Sequence, residues 1–230
     1  MTRVLYVRHG ESTSTVQRTI GGHRTCGGLS ELGHRQAAAL RDRWAGSGEV
    51  TPNVLISSHY RRARETAAYI SEAFAAMPVE IDEGFGEHDP GEACDGMGMQ
   101  QFVERYGTEG WSEDPFGVTF PGGETLAAFQ FGVGLAVRRL VDHHPDSTIV
   151  VVCHGGVVDT VLRQAMKAAP TGGFQIHTLN TSITEISLTA PNLWVLHRFG
   201  DTAHLAGLPA STARIASTAS TATTATTATT

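Results

Sequence analysis

The chain has 230 residues, with 17 basic and 23 acidic side chains for a formal net charge of −6, and is 40% apolar and 17% charged. That length buries a core in one domain or two small ones, and the composition excludes a disordered or fibrous chain. The acidic balance argues against general nucleic-acid binding, which needs a basic face, but leaves room for a local basic pocket around a small anion.

In chain order, residues 3–7 (RVLYV) read as a first strand, and the N-terminus lacks the long apolar core of a signal peptide. Ser30 reads as an N-cap, followed by Leu32, Ala37, Leu40 and Trp44 on one helical face. A strand over 53–57 leads into a helix over 60–76 carrying Ala63, Ala67, Ile70 and Phe74 at helical spacing. After a strand at 79–82, the stretch 84–122 is richer in Gly and acidic residues. It reads as an insertion lying over the site, with one short helix near 98–106. A helix over 123–143 precedes the continuously apolar strand 148–153 (TIVVVC), which suits a central strand covered on both faces. A helix over 156–168 is closed by Pro170, and strands at 182–188 and 193–199 follow. Residues 208–230 end in triplets of Ala, Ser and Thr, which cannot offset their ordering entropy by burial, so they read as a low-complexity, disordered tail.

Strands alternating with helices predict an α/β three-layer sandwich, with a mostly parallel central sheet and helices on both faces, over residues 1–207. No apolar run approaches the ~18 residues of a membrane span. Three cysteines cannot build a disulfide framework, which favours a reducing, cytoplasmic setting. Cys153 reads as a small core hydrophobe; Cys26 is the cysteine whose loop makes reactivity plausible.

Two predicted strands end alike, in Arg8-His9-Gly10 and in His154-Gly155-Gly156. Ligands of open α/β sheets bind beyond the carboxyl ends of the strands, so neighbouring strands would bring both imidazoles to one pocket. The helix opened by Gly155 offers free N–H groups to an anion. Arg8 and the cluster Arg61, Arg62 and Arg64 add guanidinium groups, the preferred fork for phosphate oxygens. Arg62 and Arg64 point about 200° apart around a helix, so at least one of the cluster faces solvent. Several carboxylates follow the third strand (Asp82, Glu83, Glu87, Asp89), and pattern alone does not choose among them.

The ordered set LYVRHGES (5–12), LSELGHRQA (29–37), SSHYRRARETA (57–67), FPGGE (120–124), VVVCHGGVV (150–158) and GDTAHL (200–205) resembles the histidine phosphatase superfamily, the phosphoglycerate mutase-like family, in its phosphatase branch. The resemblance implies that His9 is the nucleophile that becomes phosphohistidine, and that Arg8 and Arg62 bind phosphoryl oxygens. It implies that His154 donates a further hydrogen bond, as an imidazolium completing the clamp. Glu87 is then the proton donor and later base, with Glu83 as the fallback. Gly10, Thr15, Gly22 and Gly155 are the implied phosphate-binding positions. No metal or other cofactor is implied, because the cationic clamp replaces it; the implied partner is a small phosphorylated substrate, with no nucleic acid and no membrane, and a homodimer is among the family's assemblies.

The sequence departs from the family pattern at Thr15, where Asn is frequent, and in the 21–28 loop, one residue longer and lacking the usual Asp. His59-Tyr60 and Ala93 also depart from the usual residues. These positions surround the substrate mouth, so an altered leaving-group specificity is expected, with His23, Arg24 and His59 as candidate contacts. The function expected is a metal-independent phosphomonoesterase; the alternatives are a phosphoglycerate-type mutase and a catalytically silent phospho-ligand binding protein.

Overall fold

A computed structural model describes residues 1–107, 114, 116–118, 120–171 and 174–211. Its strands are β1 (Thr2–Arg8), β2 (Val54–Ser57), β3 (Val79–Ile81), β4 (Thr148–Cys153), β5 (Ile183–Ala190) and β6 (Leu193–Asp201). Its α-helices are α1 (Thr13–Gln17), α2 (Glu31–Ser47), α3 (Arg61–Ala73), α4 (Gly91–Cys94), α5 (Met99–Tyr106), α6 (Leu126–His143) and α7 (Gly155–Met166). All six expected strands and all five expected helices are present; α1 and α4 were not anticipated.

The strands form one sheet in the order β3-β2-β4-β1-β5-β6. The first four run parallel, and β5 and β6 join antiparallel. Side chains alternate across this sheet with the strand period of two. Leu5, Val7, Val150 and Val152 pack against Leu40 and Trp44 of α2 and Ala63, Ala67 and Ile70 of α3. Val4, Tyr6, Ile149, Val151 and Cys153 pack on the other face against Phe129, Val133 and Val137 of α6 and Val157 and Val161 of α7. Both faces of β1 and β4 are therefore covered, which is why TIVVVC is apolar throughout. Cys153 is fully buried, as a core hydrophobe.

Helix ends differ from the expected boundaries for local reasons. Thr125 caps α6 by accepting from the Ala128 N–H, so Pro121-Gly122-Gly123-Glu124 is a turn and the helix starts later than 123. Ser30 caps α2 as expected, accepting from the Gly33 N–H at 3.0 Å. A small third cluster of Ile20, Cys94 and Phe102 ties the segment after β3 to the loop after α1.

At the other end of the chain, residues 208–211 are described, and the Ser211 hydroxyl donates to Glu11 Oε2 at 2.6 Å. The expected disordered tail otherwise lies outside the described residues, as does part of the expected 84–122 insertion. Among the described residues no helix is long and apolar enough to cross a membrane.

Candidate active site

Register places the two histidines. Arg8 pairs with Cys153 across β1 and β4, so His9 and His154 leave the sheet side by side, and the His9 N–H donates to the Cys153 carbonyl at 2.9 Å. Their ring centroids are 5.0 Å apart, edge to face, and both residues are buried.

His9 is fixed in one tautomer. Its Nδ1–H donates to the Gly10 carbonyl at 2.6 Å, which leaves Nε2 as the unprotonated nitrogen. Arg62 Nε donates to that Nε2 at 3.0 Å. Burial, then Arg62 and then Arg8 hold the His9 ring well below the ordinary imidazole pKa of 6.5. A neutral ring with an available Nε2 lone pair is the form a nucleophile requires.

Arg62 sits in the first turn of α3 and is buried, whereas Arg61 and Arg64 face solvent, so the helical angle sorts the cluster as the sequence spacing implied. Its Nη1 donates to the Gly21 carbonyl at 3.0 Å and lies 3.5 Å from Cys26 Sγ, and its guanidinium stacks over Tyr60 at 4.5 Å. Arg8 reaches the same centre from β1, with Nη1 donating to the Thr178 carbonyl. Burial lowers the Arg8 pKa from its ordinary value, Glu87 opposes that shift, and Arg62 adds to it.

His154 departs from the expectation of an imidazolium. It is completely buried, and that desolvation, followed by Arg62, His9 and Arg8, pushes its pKa well below 6.5, so the ring is neutral. The Ser58 hydroxyl accepts from the Tyr60 N–H at 3.2 Å and meets His154 Nε2 at 2.8 Å. The other ring nitrogen, Nδ1, is buried and has no hydrogen-bond partner. The centre therefore gathers two guanidinium groups and two neutral imidazoles.

Glu87 enters from the segment after β3. Its Oε2 accepts from the Gly156 N–H at 3.1 Å, at the N-terminus of α7, and its Oε1 accepts from the His88 N–H at 3.1 Å. Glu83 is exposed and lines the same cavity as Glu87. Tyr60 donates its hydroxyl to the Glu87 carbonyl at 3.1 Å. The FPGGE turn holds this loop from the other side: the Asp89 N–H donates to Glu124 Oε1 at 2.8 Å, and the Glu124 N–H donates to the Asp89 carbonyl at 3.1 Å. Beside Glu87 lies a cavity of about 240 Å³ lined by His23, His59, Tyr60, Glu83, Asp89 and Glu124, among others. Arg24 is paired with Asp89 at 3.0 Å rather than free.

Three of the four expected phosphate-binding positions are otherwise engaged. The Gly10 N–H donates to Thr66 Oγ1 at 3.0 Å, and a Cβ there would stand 2.6 Å from the Gly33 carbonyl oxygen, so this glycine serves close packing of α2. The Gly22 N–H donates to Asp95 Oδ1 at 2.9 Å, because Asp95 gathers the 22–25 loop onto its carboxylate. The Thr15 hydroxyl pairs with Ser12 Oγ at 3.0 Å. Gly155 does face the centre, beside Arg8. Among the described residues no three His, Cys, Asp or Glu side chains gather as a set that could hold a metal ion.

Comparison with known proteins fits this geometry. A family model described as the histidine phosphatase superfamily (branch 1) matches residues 4–202. Phosphoglycerate mutase-like protein 4 of Arabidopsis thaliana is 29% identical over 205 residues, covering 88% of this chain and 86% of its own. Phosphoserine phosphatase 1 of Hydrogenobacter thermophilus is 31% identical over 176 residues, covering 75% and 77%. A mycobacterial glucosyl-3-phosphoglycerate phosphatase, solved with VO3, superposes with a TM-score of 0.71 at 27% identity, covering 86% of this chain and 98% of that one. The chain also matches three mycobacterial relatives at 30% identity, spanning about half of their length (47%).

Proposed function

The chain belongs to the histidine phosphatase superfamily, branch 1, and from that premise we propose that it is a phosphomonoesterase that hydrolyses small phosphate esters through a phosphohistidine on His9. The observation that carries the reading is the neutral, oriented His9 ring, with Nε2 facing the Arg62 guanidinium 3.0 Å away.

The chemistry follows from charge. A phosphoryl group in transfer spreads negative charge over three equatorial oxygens, so catalysis is mostly positioning and electrostatic stabilisation. As the phosphorus approaches Nε2, the Arg62 N–H turns from the ring to an equatorial oxygen, and Arg8 and His154 take the others. The N–P bond forms as the bond to the ester oxygen breaks. Glu87, protonated at this stage, gives its proton to that leaving oxygen. It then takes a proton from water, the water oxygen bonds to phosphorus, the N–P bond breaks, and inorganic phosphate departs with His9 restored. No step routes through a metal.

In-line displacement puts the leaving group on the side of its proton donor, so the alcohol occupies the cavity beside Glu87. The phosphatase reading is favoured over the mutase reading by that cavity's wall. Glu83, Asp89 and Glu124 line it, and Arg24 is already committed to Asp89. A carboxylate-bearing sugar acid has little free positive charge to meet there.

Phosphate release from para-nitrophenyl phosphate in excess EDTA tests the reading. Release that persists in the chelator and falls by about 10⁴-fold or more in His9→Ala is the expected result. Loss on chelation, or full activity in His9→Ala, would overturn it.

A further inference from the structure

Buried polar groups are nearly always paired, and each that is not calls for an explanation. Thr178, in the connection between α7 and β5, is 2% exposed, yet its Oγ1 has no hydrogen-bond partner. Arg8 Nε is likewise buried and unpartnered, and so is His154 Nδ1. The first two converge over one glycine. A Cβ on Gly155 would stand 3.5 Å from Thr178 Oγ1 and 3.7 Å from Arg8 Nε, in ordinary contact with both. Gly155 opens α7, a helix of 12 residues whose N-terminal end favours negative charge. Thr178 also shapes the centre through its backbone, since its carbonyl accepts from Arg8 Nη1. The connection is pinned to the nucleophile strand: Asn180 Nδ2 donates to the His9 carbonyl at 3.0 Å, and the Thr181 N–H donates to the Arg8 carbonyl at 2.9 Å.

We propose that Thr178 is a further phosphoryl-binding residue, whose hydroxyl donates to a phosphoryl oxygen held between Arg8 Nε and the start of α7. A threonine hydroxyl left unpaired beside an unpaired guanidinium N–H is costly, because both lose water without gaining a protein partner. One tetrahedral oxyanion over Gly155 gives both donors an acceptor. Thr178 thereby takes up the role expected of Thr15, whose hydroxyl is turned to Ser12. The inference rests on the phosphatase reading for the identity of the oxyanion, but on geometry alone for its place.

Binding of inorganic phosphate and orthovanadate, measured by calorimetry on the full chain, separates the two. Thr178→Val keeps the side-chain shape and removes the hydroxyl; it is expected to weaken both oxyanions about tenfold or more. Thr178→Ser keeps the hydroxyl and removes a methyl group; it is expected to stay within about twofold of wild type. A packing role predicts the reverse order. Should Thr178→Val not fold, Thr178→Ala against Thr178→Ser makes the same comparison. Gly155→Ala, which meets no backbone and needs no positive φ, places a methyl group in the proposed oxygen's space and is expected to weaken the same ligands. Equal oxyanion affinity in wild type and Thr178→Val, or no oxyanion binding by wild type, would overturn the assignment. Oxyanion binding without turnover by wild type would overturn the phosphatase reading and leave the Thr178 site standing.

Discussion

His9 carries its proton on the nitrogen that faces Gly10 and presents the other to Arg62, so two contacts decide its chemistry. Because burial and two guanidinium groups hold its pKa well below 6.5, His9 should stay neutral through the mildly acidic range. The rate of His9 phosphorylation, followed against pH in rapid-quench experiments, is therefore expected to show no acid limb near 6.5; an acid limb centred there would contradict the lowered pKa of the ring. Arg62→Lys keeps the charge but loses the fixed fork that reaches Nε2 and Gly21 together. It is expected to lower kcat/KM by about 10²-fold, the scale of one lost transition-state donor, in steady-state assays; a loss below about threefold would show that charge alone suffices. The sequence made His9, Arg8, Arg62 and His154 legible because each stands at a strand end or on a definable helical face. The partners of the Gly10 and Gly22 amides, Thr66 and Asp95, were not legible, since no local pattern announces a partner more than fifty residues away. Thr178 was invisible for the same reason: a threonine in an irregular connection carries no periodicity, and only the fold brings it over Gly155.

At the level of elements, strand ends supply the chemistry and turns hold it in place. Ser30 joins both tasks. It caps α2 and donates its hydroxyl to Glu11 Oε1 at 2.8 Å, beside the nucleophile turn. Ser30→Ala removes a cap and one donor from a buried carboxylate, and is expected to cost about 1–3 kcal/mol of stability in denaturant titration. A change under about 0.5 kcal/mol would show that the cap is dispensable. The five long helices and six strands were readable because each buries one face or two at a regular period. Helices α1 and α4, of five and four residues, are too short to display one. The FPGGE turn leads into α6. Its further task of gripping the Asp89 backbone, and with it the Glu87 loop, depends on a contact across 35 residues that no local signal encodes.

Over the whole molecule, buried neutral histidines link stability to pH. His9 and His154 are held well below 6.5, chiefly by burial, and His204 is pushed down to about 4 by burial and Arg43. Unfolding lets each bind a proton near pH 6.5 that the folded state refuses, so the unfolded state gains protons first as pH falls. Tm is expected to decline as pH drops from about 7 toward 4. A second loss follows at lower pH, where Asp201, held low by its hydrogen bond from Arg43, must protonate. A Tm that rises on acidification from pH 7 to 5 would contradict the neutral assignment of these rings. The same neutrality serves function, since the cationic clamp works on a nucleophile that is itself uncharged. The claim on which the account turns is that this nucleophile is His9 Nε2. It is tested most directly by mixing the protein with a phosphate ester in EDTA, quenching under alkaline conditions and mapping the phosphoryl group by mass spectrometry. The account predicts one phosphohistidine, on His9, that is absent from His9→Ala and, with para-nitrophenyl phosphate, whose leaving group needs no proton donor, accumulates in Glu87→Gln, whose second step lacks a base. Turnover by wild type with no phosphohistidine in any quench, or with the label on another residue, would contradict it.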